Sequence, residues 1–285
     1  MKLNRCLYLI VALFISTLLL NAQDCKNTAI RAASFNLRMD TPADSLNSWI
    51  HRKDKVNDLI RYHELDIIGT QEGFIHQIKD MVELGDYAYV GVGRDDGAEA
   101  GEHSAIIYKK SRLSVLDKGD FWFSETPEKP SYGWDATIRR ICSWAKFKDM
   151  ITGKEFYFFS LHYDHRGVLA RKNSSLLLIK KVKEIAKDYP VMVTGDFNAT
   201  PESEPMQIIF KDGFLFDSRE LSSTKPYGTV GTTSSFKASA PMNKRIDYIL
   251  VTSGIQVSKY AVLNEMQYGR FPSDHFPVVA DITLF

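Results

Sequence analysis

Asp196 and Asn198 stand two residues apart at the end of the apolar run VMVTGDFN, residues 191–198. Similar endings recur along the chain. IRAASF ends on Asn36, LDIIGTQ on Glu72 and EFYFFSL on His162. In an extended chain, residues two apart point to the same side, so Asp196 and Asn198 are expected to face one target while Phe197 anchors the opposite side. Two more acids mark run boundaries. Asp247 interrupts RIDYILV, where an unpaired buried carboxylate would be costly, and Asp274 with His275 abuts the run FPVV. Pairing Asp247 with His275 would relieve the burial and hold the imidazole in one tautomer. Oxygen donors gathered with imidazoles suit a hard cation and histidine-assisted attack on a phosphoryl centre. Singly, each residue has a plainer reading: Glu72 as a surface acid, His162 as a satisfied core histidine, GDFN as a turn. Those readings do not explain why so many chemically capable groups fall at the boundaries of apolar runs.

The groups must be positioned by the runs themselves. IRAASFN, LDIIGT, SAIIYKK, EFYFFSLH, VMVTGDFN, RIDYILV and FPVVADITL are short and rich in β-branched and aromatic residues, which predicts strands. Residues 48–63 and 168–188 carry apolar side chains at helical spacing. Strands mixed with helices predict a layered α/β or α+β fold. If the strands share one sheet and one direction, the polar endings converge beyond its carboxyl edge, where α/β sheets commonly bind ligands. The segment 119–135 is expected to be a long loop, either pinned on the surface by its own aromatics or forming a substrate-contacting rim. Arg139 and Arg140 are read either as phosphate contacts or as solvated residues entering a strand.

The chain has 285 residues, 44% apolar and 25% charged, and nothing in 23–285 resembles a linker or a repeat, so that stretch is read as one domain. Residues 1–22 differ. Lys2 and Arg5 precede CLYLIVALFISTLLL, with the small Ala22 at the exit, the pattern of a secretory signal peptide. Cleavage near Ala22/Gln23 would deliver a periplasmic or secreted protein; the alternatives are an uncleaved anchor, or a lipid on Cys25, which Asp24 disfavours. Cleavage removes two cations and no acid, moving the formal charge from +1 to −1. That balance lacks the basic footprint of a non-specific nucleic-acid surface, without excluding a nuclease whose site is locally positive. Cys25 and Cys142 could pair in an oxidising compartment, or Cys142 could stay free and buried.

In chain order, SFNLR, GTQE, GEHSAIIYKK, LHYDH, TGDFNATP, RIDYILV and SDHFPV resemble the motifs of the endonuclease/exonuclease/phosphatase family. This family includes deoxyribonuclease I, apurinic endonucleases, neutral sphingomyelinases, inositol polyphosphate 5-phosphatases and poly(A)-removing nucleases; a compact secreted bacterial subgroup looks nearest. The resemblance implies an α/β (α+β) four-layer sandwich of two packed mixed β-sheets flanked by helices. It implies Mg²⁺, with Mn²⁺ as an alternative, held by Asn36, Glu72 and Asp274, with Glu72 the principal ligand. Asp196 would orient or deprotonate the attacking water, Asn198 would contact the phosphate, and His275 steadied by Asp247 would hydrogen-bond it. Glu102 and His162 match a second acid–imidazole pair, and the general acid stays open. The implied partner is a phosphate ester (nucleic acid, nucleotide, phospholipid or another small ester), bound by a monomer. Two other readings are a non-catalytic phosphoryl-ligand-binding domain on the same scaffold and a two-carboxylate glycosidase using Glu72 and Asp196.

Overall fold

The structure, a computed structural model, describes residues 28–83 and 85–285. The expected signal peptide and Cys25 lie outside the described residues; Cys142 is free and buried. Among the described residues, no helix is long and apolar enough to cross a membrane.

Among the described residues, twelve strands, numbered in chain order, form two six-stranded sheets. Across the first sheet run β11 (Ile255–Val262), β12 (Val278–Leu284), β1 (Ile30–Asn36), β2 (Ile67–Gln71), β4 (Ile106–Lys109) and β3 (Tyr87–Val90). Across the second run β5 (Leu113–Trp122), β6 (Ile141–Asp149), β7 (Glu155–His162), β8 (Val191–Asp196), β10 (Asp247–Val251) and β9 (Phe216–Asp217). Each sheet has one parallel pair, β1 with β2 and β7 with β8, and its other pairings are antiparallel. The outer face of the first sheet is covered by α1 (Lys53–Tyr62) and α2 (Ile75–Val82), whose Leu59, Ile60, Ile78 and Met81 pack on Phe35 and Ile68. On the second, α3 (Val168–Ala186) and α4 (Glu204–Asp212) bring Leu178, Val182, Met206 and Ile209 onto Phe159, Leu161 and Val193. Helices, sheet, sheet and helices make four layers.

The alternation of strand side chains explains where the polar endings go. Ile30, Ala32, Phe156, Phe158 and Met192 fill the space between the sheets. Continuing each strand by twos leads from Ile30 and Ala32 to Ser34 and Asn36, from Phe156 and Phe158 to Ser160 and His162, and from Met192 to Thr194 and Asp196. The inter-sheet filling therefore passes from large and apolar, through small and polar, to chemically capable groups. The small residues allow close approach. A Cβ on Gly69 would fall 1.9 Å from Thr194 Oγ1 and 2.9 Å from Ser160 Oγ, so only glycine fits there.

The two packed mixed sheets flanked by helices that the resemblance implies are present, and the polar endings converge from both sheets and not from one. Asn36 and Glu72 end strands of one sheet, and His162 and Asp196 end strands of the other. The two parallel pairs point to the same end of the sandwich. Asp247 and His275 reach that end from the starts of the antiparallel strands β10 and β12. The loop expected over 119–135 is also corrected. Its first four residues belong to β5, where Gly119, Asp120, Phe121 and Trp122 pair with Trp144, Ser143, Cys142 and Ile141. Phe121 and Trp122 are both buried, Trp122 with its indole N–H donating to Arg94 O at 2.7 Å, which masks the strand alternation.

Arg52, in the turn before α1, is almost completely buried. Its guanidinium donates to the carbonyls of Asn47, Leu37, Arg38 and Pro272 at 2.5, 2.8, 3.0 and 2.7 Å. Burial lowers it to about 10, which leaves it charged at neutral pH. Arg52→Met should destabilise the fold by about 2–4 kcal/mol, because four carbonyls lose their donor at once. A melting temperature within a degree or so of the parent would show those loops to be held by other contacts.

Candidate active site

Asn36 is fully buried at the end of β1, and its amide spans the two sheets. Nδ2 donates to Glu72 Oε1 at 3.0 Å and to Asp196 Oδ2 at 3.1 Å, while Oδ1 accepts from Arg38 N–H at 2.9 Å. Glu72 directly follows β2 with φ of 63°, a left-handed conformation that costs a non-glycine residue about 1–2 kcal/mol and tends to persist where function requires it. Its Oε2 accepts from Met39 N–H at 3.2 Å and lies 3.9 Å from the Arg38 guanidinium. Burial works to raise the Glu72 carboxyl, but the His275 charge, the Asn36 amide and the Met39 N–H together hold it below its ordinary value.

On the other sheet Asp196 is 2% exposed. Burial, and then the charge of Asp247, pushes it up to about 7. Asp247 Oδ2 lies 3.0 Å from His275 Nδ1 and accepts a 2.5 Å bond from Thr232 Oγ1. Although burial alone would lower His275, the carboxylates of Asp247, Asp196 and Asp274 raise it well above the ordinary histidine value. It is an imidazolium whose Nε2 stands 3.9 Å from Asp196 Oδ2. Asp274 faces the same cavity, raised by burial, with His275 opposing and Glu72 adding to the shift.

Asn198 reaches the site by a different route from the expected one. Its φ is 48°, and its backbone N–H donates to Asp196 Oδ1 at 2.9 Å, so the chain turns instead of running extended. Asn198 Nδ2 donates to Tyr163 O at 3.1 Å and lies 3.1 Å from His162 Nε2. Phe197 does anchor the opposite side, edge-on to Tyr163 and Tyr248. GDFN is thus both a turn and a way of gathering two polar groups.

Glu102 and His162 are close without being hydrogen-bonded. Their nearest approach is 3.9 Å, and Glu102 Oε2 instead takes a 2.5 Å bond from Arg94 Nη1. Burial raises Glu102, with Arg94 opposing. Burial lowers His162 well below its ordinary value, helped by the charges of Arg140 and Arg94, so this imidazole is neutral. Its Nε2 stands 3.5 Å from Asp196 Oδ2.

These groups surround a cavity of about 330 Å³, lined by Arg38, Glu72, Arg140, His162, Asp196 and Asp274 among others. Asn36 and Asp247 stand behind its wall. Arg140 is 4% exposed and faces the cavity, whereas Arg139 stacks on Tyr132 and lies 3.5 Å from Asp95. Arg38, Met39, Ile138 and His165 also line the cavity, and Thr232 supports Asp247. Sequence reasoning gave none of these five a role, although Arg38 and His165 fall within segments that resemble the family. A divalent cation fits the donor set. One ligand atom each from Glu72, His162 and Asp196 lie within 4.8 Å of one another, and the upward shifts of Asp196 and Asp274 mark negative charge that a cation would offset.

The sequence pattern of the endonuclease/exonuclease/phosphatase family matches residues 33–275. The chain belongs to that family. A solved endonuclease/exonuclease/phosphatase family protein from Bacteroides thetaiotaomicron is 42% identical, with a TM-score of 0.88 over 90% of this chain and 98% of the other. A mannosyl-6-phosphatase from the same species is also 42% identical, with a TM-score of 0.86 over 90% and 100% of the two chains. An uncharacterized protein of Acanthamoeba polyphaga mimivirus is 27% identical, over 84% of this chain and 94% of its own. The two mixed sheets flanked by helices are the architecture of these solved relatives, and the family's members are hydrolases acting on phosphoester bonds.

Proposed function

We propose that this chain is a secreted or periplasmic, divalent-metal-dependent phosphoesterase that attacks a phosphate ester with an activated water. One observation carries the reading: the raised Asp196 carboxyl stands between an Asp247-supported imidazolium and the Glu72 carboxylate. A carboxylate raised toward neutrality is matched to taking a proton from water near pH 7. The His275 imidazolium is placed to donate to a non-bridging phosphoryl oxygen as negative charge develops, and Asn198 adds an amide beside it. Glu72 and Asp274, with Asn36 supporting, are the residues to hold Mg²⁺ or Mn²⁺, which when bound supplies charge neutralisation at the phosphoryl group.

A small phosphomonoester is the favoured substrate. The cavity is at the lower end of ligand-site volumes, about 300–1,000 Å³, and the mannosyl-6-phosphatase of Bacteroides thetaiotaomicron is 42% identical along its whole length. Ester hydrolysis should be assayed on a panel of sugar phosphates, nucleotides, DNA, RNA and phospholipids with Mg²⁺ or Mn²⁺, reading phosphate release from monoesters and the cleaved products from diesters. The expected result is turnover of a small monoester that stops with EDTA. Activity that persists in EDTA would refute the metal reading, and tight phosphate binding without turnover of any ester would favour the non-catalytic scaffold. Mature protein in the soluble periplasmic or extracellular fraction, beginning near Gln23 on N-terminal sequencing, is expected. Membrane-bound protein retaining residues 1–22 would overturn the location.

A further inference from the structure

His165 sits at the mouth of the cavity, three residues beyond His162, in a turn before α3. Its Nδ1 lies 2.9 Å from Arg140 Nη2. A guanidinium only donates, so Nδ1 is the acceptor and the ring proton is on Nε2. Burial, and then the charge of Arg140, lowers the imidazole below its ordinary value, which keeps that tautomer neutral. Arg140 is in turn paired with Asp164, which the turn itself holds. Arg140 Nε stands 3.5 Å from Asp164 Oδ2, while Asp164 Oδ1 accepts from the backbone N–H groups of Arg166 and Gly167 at 2.8 and 2.6 Å. Arg171 Nη1 donates to the Asp164 carbonyl at 3.0 Å, tying the turn to α3 as well.

Depth separates this imidazole from the other two. His162 and Asp196 are buried and His275 nearly so, whereas His165 is exposed. A phosphoryl group engaged by the deep residues leaves its alcohol half toward the mouth. We propose that His165 is a specificity-determining residue, held by Arg140 so that its Nε2–H donates to a hydroxyl oxygen of the leaving alcohol and favours polyhydroxylated phosphate esters over plain alkyl ones. The proposal rests on the phosphoesterase reading above. A neutral donor suits the task, since it distinguishes a hydroxylated alcohol from an alkyl chain without competing for the phosphate charge.

The test compares hexose 6-phosphate with hexyl phosphate, reading phosphate release from the wild type, His165→Ala and His165→Gln. In His165→Ala the preference, taken as the ratio of the two kcat/KM values, should fall about tenfold, mainly through KM for the hexose ester. Glutamine keeps an N–H donor and an acceptor for Arg140, so His165→Gln should recover much of the preference. An unchanged preference in His165→Ala overturns the proposal, whether both esters lose equally or neither does. Wild-type protein that hydrolyses another ester of the panel but neither of these two overturns the specificity role alone, whereas hydrolysis of no ester at all with Mg²⁺ or Mn²⁺ refutes the phosphoesterase reading and the specificity role with it. Independently of activity, ¹⁵N NMR of the wild type at neutral pH should show His165 as the Nε2–H tautomer. An Nδ1–H tautomer would remove the Arg140 contact on which the donor depends.

Discussion

Asp196→Asn is expected to lower kcat/KM by about 10³–10⁴-fold while leaving the fold intact. The amide keeps the shape of the side chain but cannot take a proton from water. Stability should move the other way. Asp196 is raised to about 7 in the folded protein by burial and by Asp247, so the folded state binds its proton more tightly than the unfolded state does. Its ionisation therefore costs stability progressively as pH rises from the unfolded carboxyl value through the folded one. In metal-free protein, Asp196→Asn should melt higher than the parent at pH 8, with a smaller difference at pH 4. A large fall in melting temperature with activity retained would make GDFN a structural turn and nothing more. Asn198→Ala should also lose activity, because its amide lies against both His162 and the Tyr163 carbonyl. The double variant should lose less than the product of the single losses, since both side chains serve one reacting group. Multiplying losses would show that they act separately.

The second large effect concerns the metal. Glu72→Gln should weaken Mg²⁺ affinity about 100-fold and reduce turnover with it, because the amide retains the size of the ligand without its charge. The glutamine oxygen can keep one of the two bonds, from Asn36 Nδ2 or from Met39 N–H, so the local fold should survive with one bond fewer. Calorimetric titration with Mg²⁺ alone is the direct measurement. Unchanged affinity would place the cation elsewhere, with the Glu72, His162 and Asp196 cluster still holding two other donors to test.

Much of this site was legible because it lies on strands. The row Phe156, Phe158, Ser160, His162 can be followed in the sequence by counting in twos, and β1 and β7 coincide with the runs IRAASFN and EFYFFSLH. What escaped depends on contacts between distant segments. Arg94 takes the carboxylate of Glu102 from across its own loop, and Thr232 reaches Asp247 from a long irregular segment; neither leaves a periodic trace. The edge strand β3 is only four residues long, and β11 at the opposite edge alternates buried and exposed residues around a register shift, so neither reads as an apolar run. Asn198 was placed beside Asp196 for the wrong reason, because a left-handed asparagine gives the same juxtaposition as an extended strand would.

Gly69 lies two residues before the end of β2, yet it bears on the reacting groups through spacing alone. Asn36 must touch a carboxylate rooted in each sheet, and an amide has a fixed span. The thickness of the sandwich at Gly69, Ser160 and Thr194 thus acts as a calibrated shim for the distance between Glu72 and Asp196. A single methyl group inserted there would prise open the jaw that those two carboxylates form, dulling the enzyme from inside while every group that meets substrate kept its identity.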